Sequence, residues 1–274
     1  MKLRFALLLA LMPIACSTAS AQRTAREVDN QRDPTPAWKN DPEFARDVFT
    51  FVRGKYTVNG KYGYGHTRPE DRWAIDFPAG DLNLCYRLQQ MSSTKVDPDG
   101  LVLAFTEKEL FEYPFIYIVE PGRLTFEEEE MVALRKYLLN GGFMMVDDFW
   151  GDWEWGNFEK ELKLLFPERD WVELPQDHPI FNGIFPLNEK PQVPGITSWT
   201  RFGRMYDAHG PGSEEVHYRA ILDDKKRIMI LLCHNTDLGD GWEREGDNED
   251  YFHRFSEKKA YPIGINIIFY AMTH

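Results

Sequence analysis

Positive charge is what this chain has little of: across 274 residues, 32 Lys and Arg stand against 44 Asp and Glu, a net charge of −12. A polyanion meets repulsion from that average field, so the balance disfavours nucleic acid and anionic membrane as partners, although it does not exclude a local basic patch. Cysteine is scarce as well, at three in the chain. There is no glycine-rich phosphate loop, no sequence-local metal-ligand spacing and no internal repeat. No apolar run past the N-terminal segment reaches the roughly 20 residues that span a bilayer as a helix.

What is present begins with a segment outside the fold. "MKLRFALLLALMPIACSTASA" carries Lys2 and Arg4, an apolar run from Phe5 to Cys16, and small residues ending Ala19-Ser20-Ala21. That order predicts a secretory signal over residues 1–21, cleaved before Gln22, and an exported protein, periplasmic or extracellular. Lipidation at Cys16 is the alternative, though Pro13 stands where such signals usually carry Leu. Residues 22–43 are polar, charged and punctuated by proline, the composition of a tether. Cys85 and Cys233 read as buried thiols on apolar stripes, with a disulfide as the alternative in an exported chain.

From residue 44 to 274 the pattern predicts one α/β domain. "DVFTFVRGKYTV" is a strand, followed by a long loop rich in glycine, aromatics and acids that includes Asp76. "DLNLCYRLQQM" is a short helix with Asp81 as its N-cap. "FIYIV" is an apolar strand. Thr125 and Glu128 make a capping box for the helix "FEEEEMVALRKYLLN", which Gly141 and Gly142 end, and "FMMV" is the next strand. Strand, helix and strand of this length make a right-handed crossover in a parallel sheet. Beyond it the sequence predicts a helix in "NFEKELKLLF", a strand in "WVEL", a hairpin turning at Asp223 to Lys226, and a closing helix in "KKAYPIGINIIFYAMTH" with Pro262 near its start.

Asp147 and Asp148 follow the apolar strand at once, where adjacent carboxylates repel and are costly to desolvate. Ligands of open α/β sheets bind beyond the carboxyl ends of the strands, so the pair is a candidate site. Capping the next helix is the plainer role for an Asp in that position. Carboxylates there can ligate a hard cation, act as a base or accept hydrogen bonds from sugar hydroxyls. Asp76 and His178, from "DHPIF", are the candidates to join them, and His178 reads equally as a helix-start residue. The acidic stretch from Asn235 to Asp250 is a second loop, with Asp237, Asp240 and Trp242 as secondary candidates. It lacks the glycine at the sixth position and the glutamate at the twelfth that an EF-hand needs. Trp150, Trp153 and Trp155 would rim the crevice, or pack in the core.

The segments "RWAIDFPAGDLNL", "YPFIYIVEPGRLTFEEEEMVALRKYLLNGGFMMVDD", "LPQDHPIF" and "NTDLGDGWE" together resemble the bacterial domain of unknown function numbered 4159. The resemblance covers about Phe49 to Tyr270. It implies a flavodoxin-like, class I glutamine amidotransferase-like fold, a mostly parallel sheet with helices on both faces, and no established activity. "GGFMMVDD" and "DHPIFNGI" are also similar to the trehalose-utilisation type of amidotransferase-like domain. In true amidotransferases this helix-glycine-strand unit delivers a nucleophilic Cys on an elbow flanked by glycines. Here it delivers Asp147 and Asp148, and neither Cys85 nor Cys233 has flanking glycines. Cys233 and His234, as neighbours in a strand, point to opposite faces. Cys-dependent glutamine hydrolysis is therefore not expected.

Two functional expectations follow. One is a non-catalytic ligand-binding or scaffolding module of the bacterial envelope, with a small molecule, a carbohydrate or an envelope protein as partner. The other is a hydrolase using Asp147 or Asp148 with His178, with or without a metal. No organic cofactor is expected, and a divalent cation is the one inorganic group the acids suit.

Overall fold

Short apolar runs bounded by Pro and Gly become strands of one sheet in the computed structural model, which describes residues 24–28, 35–44, 47–56, 58 and 69–274. The signal segment, part of the polar arm and most of the long loop from Tyr62 to Trp73 lie outside the described residues. The strands are β1 (Val52–Lys55), β2 (Leu101–Ala104), β3 (Phe115–Val119), β4 (Phe143–Phe149), β5 (Trp171–Glu173), β6 (His217–Leu222) and β7 (Ile228–His234). Their order across the sheet is β2-β1-β3-β4-β7-β6-β5. The first five in that order are mutually parallel, whereas β6 runs antiparallel to β7 and β5 antiparallel to β6.

The helices are α1 (Ala79–Met91), α2 (Glu128–Leu139), α3 (Gly151–Leu165), α4 (Pro179–Asn182), α5 (Ile196–Phe202), α6 (Leu238–Glu243), α7 (Glu249–Tyr251) and α8 (Tyr261–Thr273), with a π-helical stretch Phe252–Ala260 before the last. Strand alternation sorts the core into two layers. Phe115, Tyr117, Phe143 and Met145 pack with Leu84, Trp242 and Ile263 from α1, α6 and α8. Ile116, Ile118, Met144 and Val146 pack with Leu134, Leu138, Phe158 and Leu162 from α2 and α3. Central strands covered on both faces explain why they read as continuous apolar runs.

Several local expectations shift. The N-cap of α1 is Pro78, and Asp81 lies in the first turn, where Arg53 of β1 pairs with it through Nε at 3.2 Å and through Nη2. The capping box of α2 sits two residues later than Thr125 and Glu128: Glu127 and Glu130 form it, because the run of acids offers more than one register. The stretch from Asn235 to Trp242, expected as a loop, is buried and enters α6 directly from β7. The polar arm is not a free tether where it is described: Arg26 donates to the carbonyls of Pro98 and Thr35, and Trp38 donates to that of Val96. Cys85 and Cys233 are both buried free thiols, which rules out the disulfide.

Candidate metal centre at the carboxyl ends of the strands

β4 runs three residues further than its apolar part, through Asp147 and Asp148 to Phe149. Its pairing with β7 slips between Val146 and Phe149, and Asp148 takes a left-handed backbone, φ 55°. This is a bulge: it returns Phe149 to the apolar layer of Val146 and leaves the two aspartates on separate headings. Asp76 (φ 61°), Glu120 (φ 48°) and Asn235 (φ 61°) are also left-handed, after β1, β3 and β7. Such conformations are uncommon outside glycine, though Asn and Asp tolerate them best. All four lie at the carboxyl end of the parallel strands, where such backbone strain costs about 1–3 kcal/mol per residue.

Asp147 is fully enclosed. One of its oxygens, Oδ2, accepts from the Tyr117 hydroxyl at 3.1 Å and from the backbone N–H groups of Leu238 and Gly239 at 2.9 and 3.0 Å. The other, Oδ1, is buried with no hydrogen-bond partner among the described residues. Burial pushes this carboxyl up to about 7, and the bonds from Gly239 and Tyr117 pull the other way. Asp147 is thus the carboxylate on which the start of α6 is built.

Asp148 turns elsewhere, toward Asp76 and Asp237. One carboxylate oxygen from each of the three lies within 4.8 Å of the other two. Their exposures are only 8%, 8% and 6%. Asp148 Oδ1 accepts from Trp150 Nε1 at 2.8 Å, and Asp237 Oδ1 accepts from the Asp240 N–H at 2.7 Å. Asp76 Oδ2 is buried with no hydrogen-bond partner among the described residues. None of the three makes an ion pair with a basic side chain among the described residues. Burial first, and then the charges of neighbouring acids, push all three carboxyls well above the usual carboxylate range.

The magnitude decides what such a trio can do. Two like charges at 4.8 Å repel by about 3.5 kcal/mol at an effective dielectric constant of 20. Three such pairs would cost about 10 kcal/mol, comparable with the whole stability of a typical domain. The site must therefore hold protons or a cation. Calcium–oxygen bonds of about 2.3–2.6 Å put ligand oxygens up to about 5 Å apart, so these oxygens need little movement to close on an ion of that size.

Of the residues singled out by sequence, Asp76, Asp148 and Asp237 meet, with Asp147 beside them in the frame. His178 does not join them. β5 runs toward the crevice, but after Leu174 the chain folds back over α8 and His178 caps α4, its Nδ1 accepting from the Ile180 N–H at 3.3 Å. Its ring lies 5.5 Å from that of Tyr270, which itself packs on Phe143 at the opposite end of β4. The helix-start role is the one observed. Trp150 and Trp242 are core residues instead of rim residues, at 1% and 0% exposure, while Trp153 is exposed and Trp155 half-buried. Asp240 forms a second trio with Asp76 and Glu243. Tyr117, Gly239 and Glu243 went unrecognised in the sequence, where nothing separates them from ordinary strand and helix residues.

Residues 60–272 match a family described only as a domain of unknown function, DUF4159. Among curated proteins none matches the chain. The match takes in every candidate residue of the crevice, and the chain belongs to the DUF4159 family.

Proposed function

We propose that this protein is an exported ligand-binding module of the bacterial envelope whose site is a divalent cation of calcium size held by Asp76, Asp148 and Asp237. The observation that carries this reading is the buried Oδ2 of Asp76, without a hydrogen-bond partner among the described residues, in a trio of acids none of which forms an ion pair with a described basic side chain. A hard cation with oxygen ligands would remove the repulsion, and three protein oxygens leave coordination positions open for hydroxyl or carboxylate oxygens of a small molecule or carbohydrate. The sequence of parallel strands, β2-β1-β3-β4-β7, coincides with the flavodoxin-like order 2-1-3-4-5 and supports that fold assignment, and with it the amidotransferase-like frame. Binding is favoured over hydrolysis because His178, the base of the acid–histidine scheme, lies at the other end of the sheet.

The test is calorimetric titration of the chelator-treated full chain with calcium, magnesium and manganese, followed by a thermal-shift screen of sugars with the ion present. One ion should bind the wild type, and Asp76→Asn or Asp148→Asn should weaken it at least tenfold without lowering the melting temperature of the ion-free protein. Absence of both heat and thermal shift with all three ions would overturn the reading.

A further inference from the structure

Asp76 belongs to two carboxylate trios at once, the second formed with Asp240 and Glu243, again with one oxygen from each within 4.8 Å of the others. The two trios differ in one respect. Arg244, the residue after α6, places Nε 2.7 Å from Asp240 Oδ1 and 2.7 Å from Glu243 Oε2, and Nη1 3.4 Å from Asp247 Oδ2. The Asp76, Asp148 and Asp237 trio has no such partner among the described residues. We propose that Arg244 is a tethered counter-cation occupying the second of two adjoining cation positions around Asp76, and that it thereby sets the stoichiometry of the centre at one ion.

This inference rests on the cation reading of the first trio and adds a determinant to it. Two ions that share a bridging carboxylate stand about 3.5–4 Å apart, and each needs carboxylate oxygens at about 2.0–2.6 Å. A guanidinium nitrogen 2.7 Å from both Asp240 and Glu243 already engages two of the three carboxylates such a second ion would need. The other oxygen of Asp240 is committed too, accepting from the Ile196 N–H at 2.6 Å. Arg244 is the movable part: its side chain is 29% exposed, so it can be removed without emptying the core. A guanidinium stays charged at any working pH, so the block is permanent in the wild type. Asp76 Oδ2, buried with no hydrogen-bond partner among the described residues, is the oxygen left to bridge once the arginine is gone.

The experiment uses the full chain with manganese as the probe. Bound ions are counted by equilibrium dialysis with elemental analysis, and electron paramagnetic resonance reports whether two ions are magnetically coupled. Wild type and Arg244→Lys should bind one ion and give an uncoupled spectrum. Arg244→Gln and Arg244→Met should bind two and show the exchange-coupled signal of a bridged pair. Two ions in the wild type, or no added ion in either neutral variant at an unchanged fold by circular dichroism, would overturn the proposal. If the wild type binds none, the first trio is not a cation site, and an ion gained in both neutral variants would still assign the Arg244 role.

Discussion

Arg53 and Asp81 form a fully buried ion pair between β1 and the first turn of α1, at side-chain exposures of 1% and 3%. The same guanidinium donates to the carbonyls of Trp73 and Ile75 at 3.3 and 3.1 Å and lies over the Tyr117 ring at 4.6 Å. Ile75 immediately precedes Asp76, and Tyr117 donates to Asp147. One arginine thus fixes the segment that delivers Asp76 and the ring that orients Asp147.

Arg53→Met should therefore destabilise by about 3–5 kcal/mol, because it strands the Asp81 carboxylate in the core. Arg53→Met combined with Asp81→Leu should recover much of that loss. Urea titration of the two single variants and the double variant checks both statements. Additive losses would show that the pair is not coupled.

Gly239 is the close neighbour of the trio. A Cβ built on it would fall 2.1 Å from Asp76 Oδ2 and 3.1 Å from the Tyr117 hydroxyl. Gly239→Ala is expected to displace the Asp76 carboxylate, cost about 1–3 kcal/mol by overpacking, and weaken calcium binding at least tenfold. Calcium titration against Gly241→Ala, where the added methyl would instead meet the Ala260 side chain, separates the two effects.

Acid should weaken the antiparallel edge of the sheet through two groups. Burial would raise the Glu173 carboxyl, but hydrogen bonds from His217 and Lys190 outweigh it and hold the group at about 2. Its contribution is complete above the unfolded value near 4.5 and is lost as pH falls toward 2. His234 is pushed down to about 3 by burial and by the nearby Arg219 charge, so the folded state gives up stability as pH falls from about 6.5 toward 3. The buried aspartates, whose carboxyls are raised, oppose this loss as pH falls, so the test is the slope of the urea midpoint between about pH 4.5 and 2.5, which should be shallower in Glu173→Gln than in the wild type. An unchanged slope there would remove Glu173 from the account.

Cys-dependent glutamine hydrolysis should be absent. Burial holds both thiols well above the ordinary range, so neither supplies a thiolate at neutral pH. Ammonia release from glutamine should stay at background in the wild type, Cys85→Ser and Cys233→Ser. Turnover that disappears in either variant would contradict this.

The β3–α2–β4 unit was legible because its apolar periods are long, of one type, and bounded by Pro114 at one end and by Gly141 and Gly142 before β4. Asp81 was misread as a cap because an arginine between Val52 and Gly54 gives no sign of being buried, and it is Arg53 that claims the carboxylate. The strand-end rule located Asp147 and Asp148 and would equally have promoted Asp237, which follows β7. Standing among several acids of the loop from Asn235 to Asp250, Asp237 had nothing in its own spacing to single it out. His178 could not be placed, because a turn-rich connection carries no period to say at which end of the sheet it finishes. The bulge at Asp148 was invisible for a related reason: an extra residue in a strand is defined by its partner strand, here β7, and not by its own sequence.

Asp76 lies just before α1, Asp148 within β4 and Asp237 just after β7, far apart in the chain, and they are neighbours only in the folded state. An unfolded chain offers an ion isolated carboxylates of negligible affinity. Occupancy of the proposed cation site would then act as a mass-action clamp on folding, adding RT ln(1 + [ion]/Kd), about 2.7 kcal/mol at an ion concentration one hundred times Kd. If the crevice holds calcium as proposed, the melting temperature should rise with free calcium, and a chelated sample should melt below the same chain with calcium added.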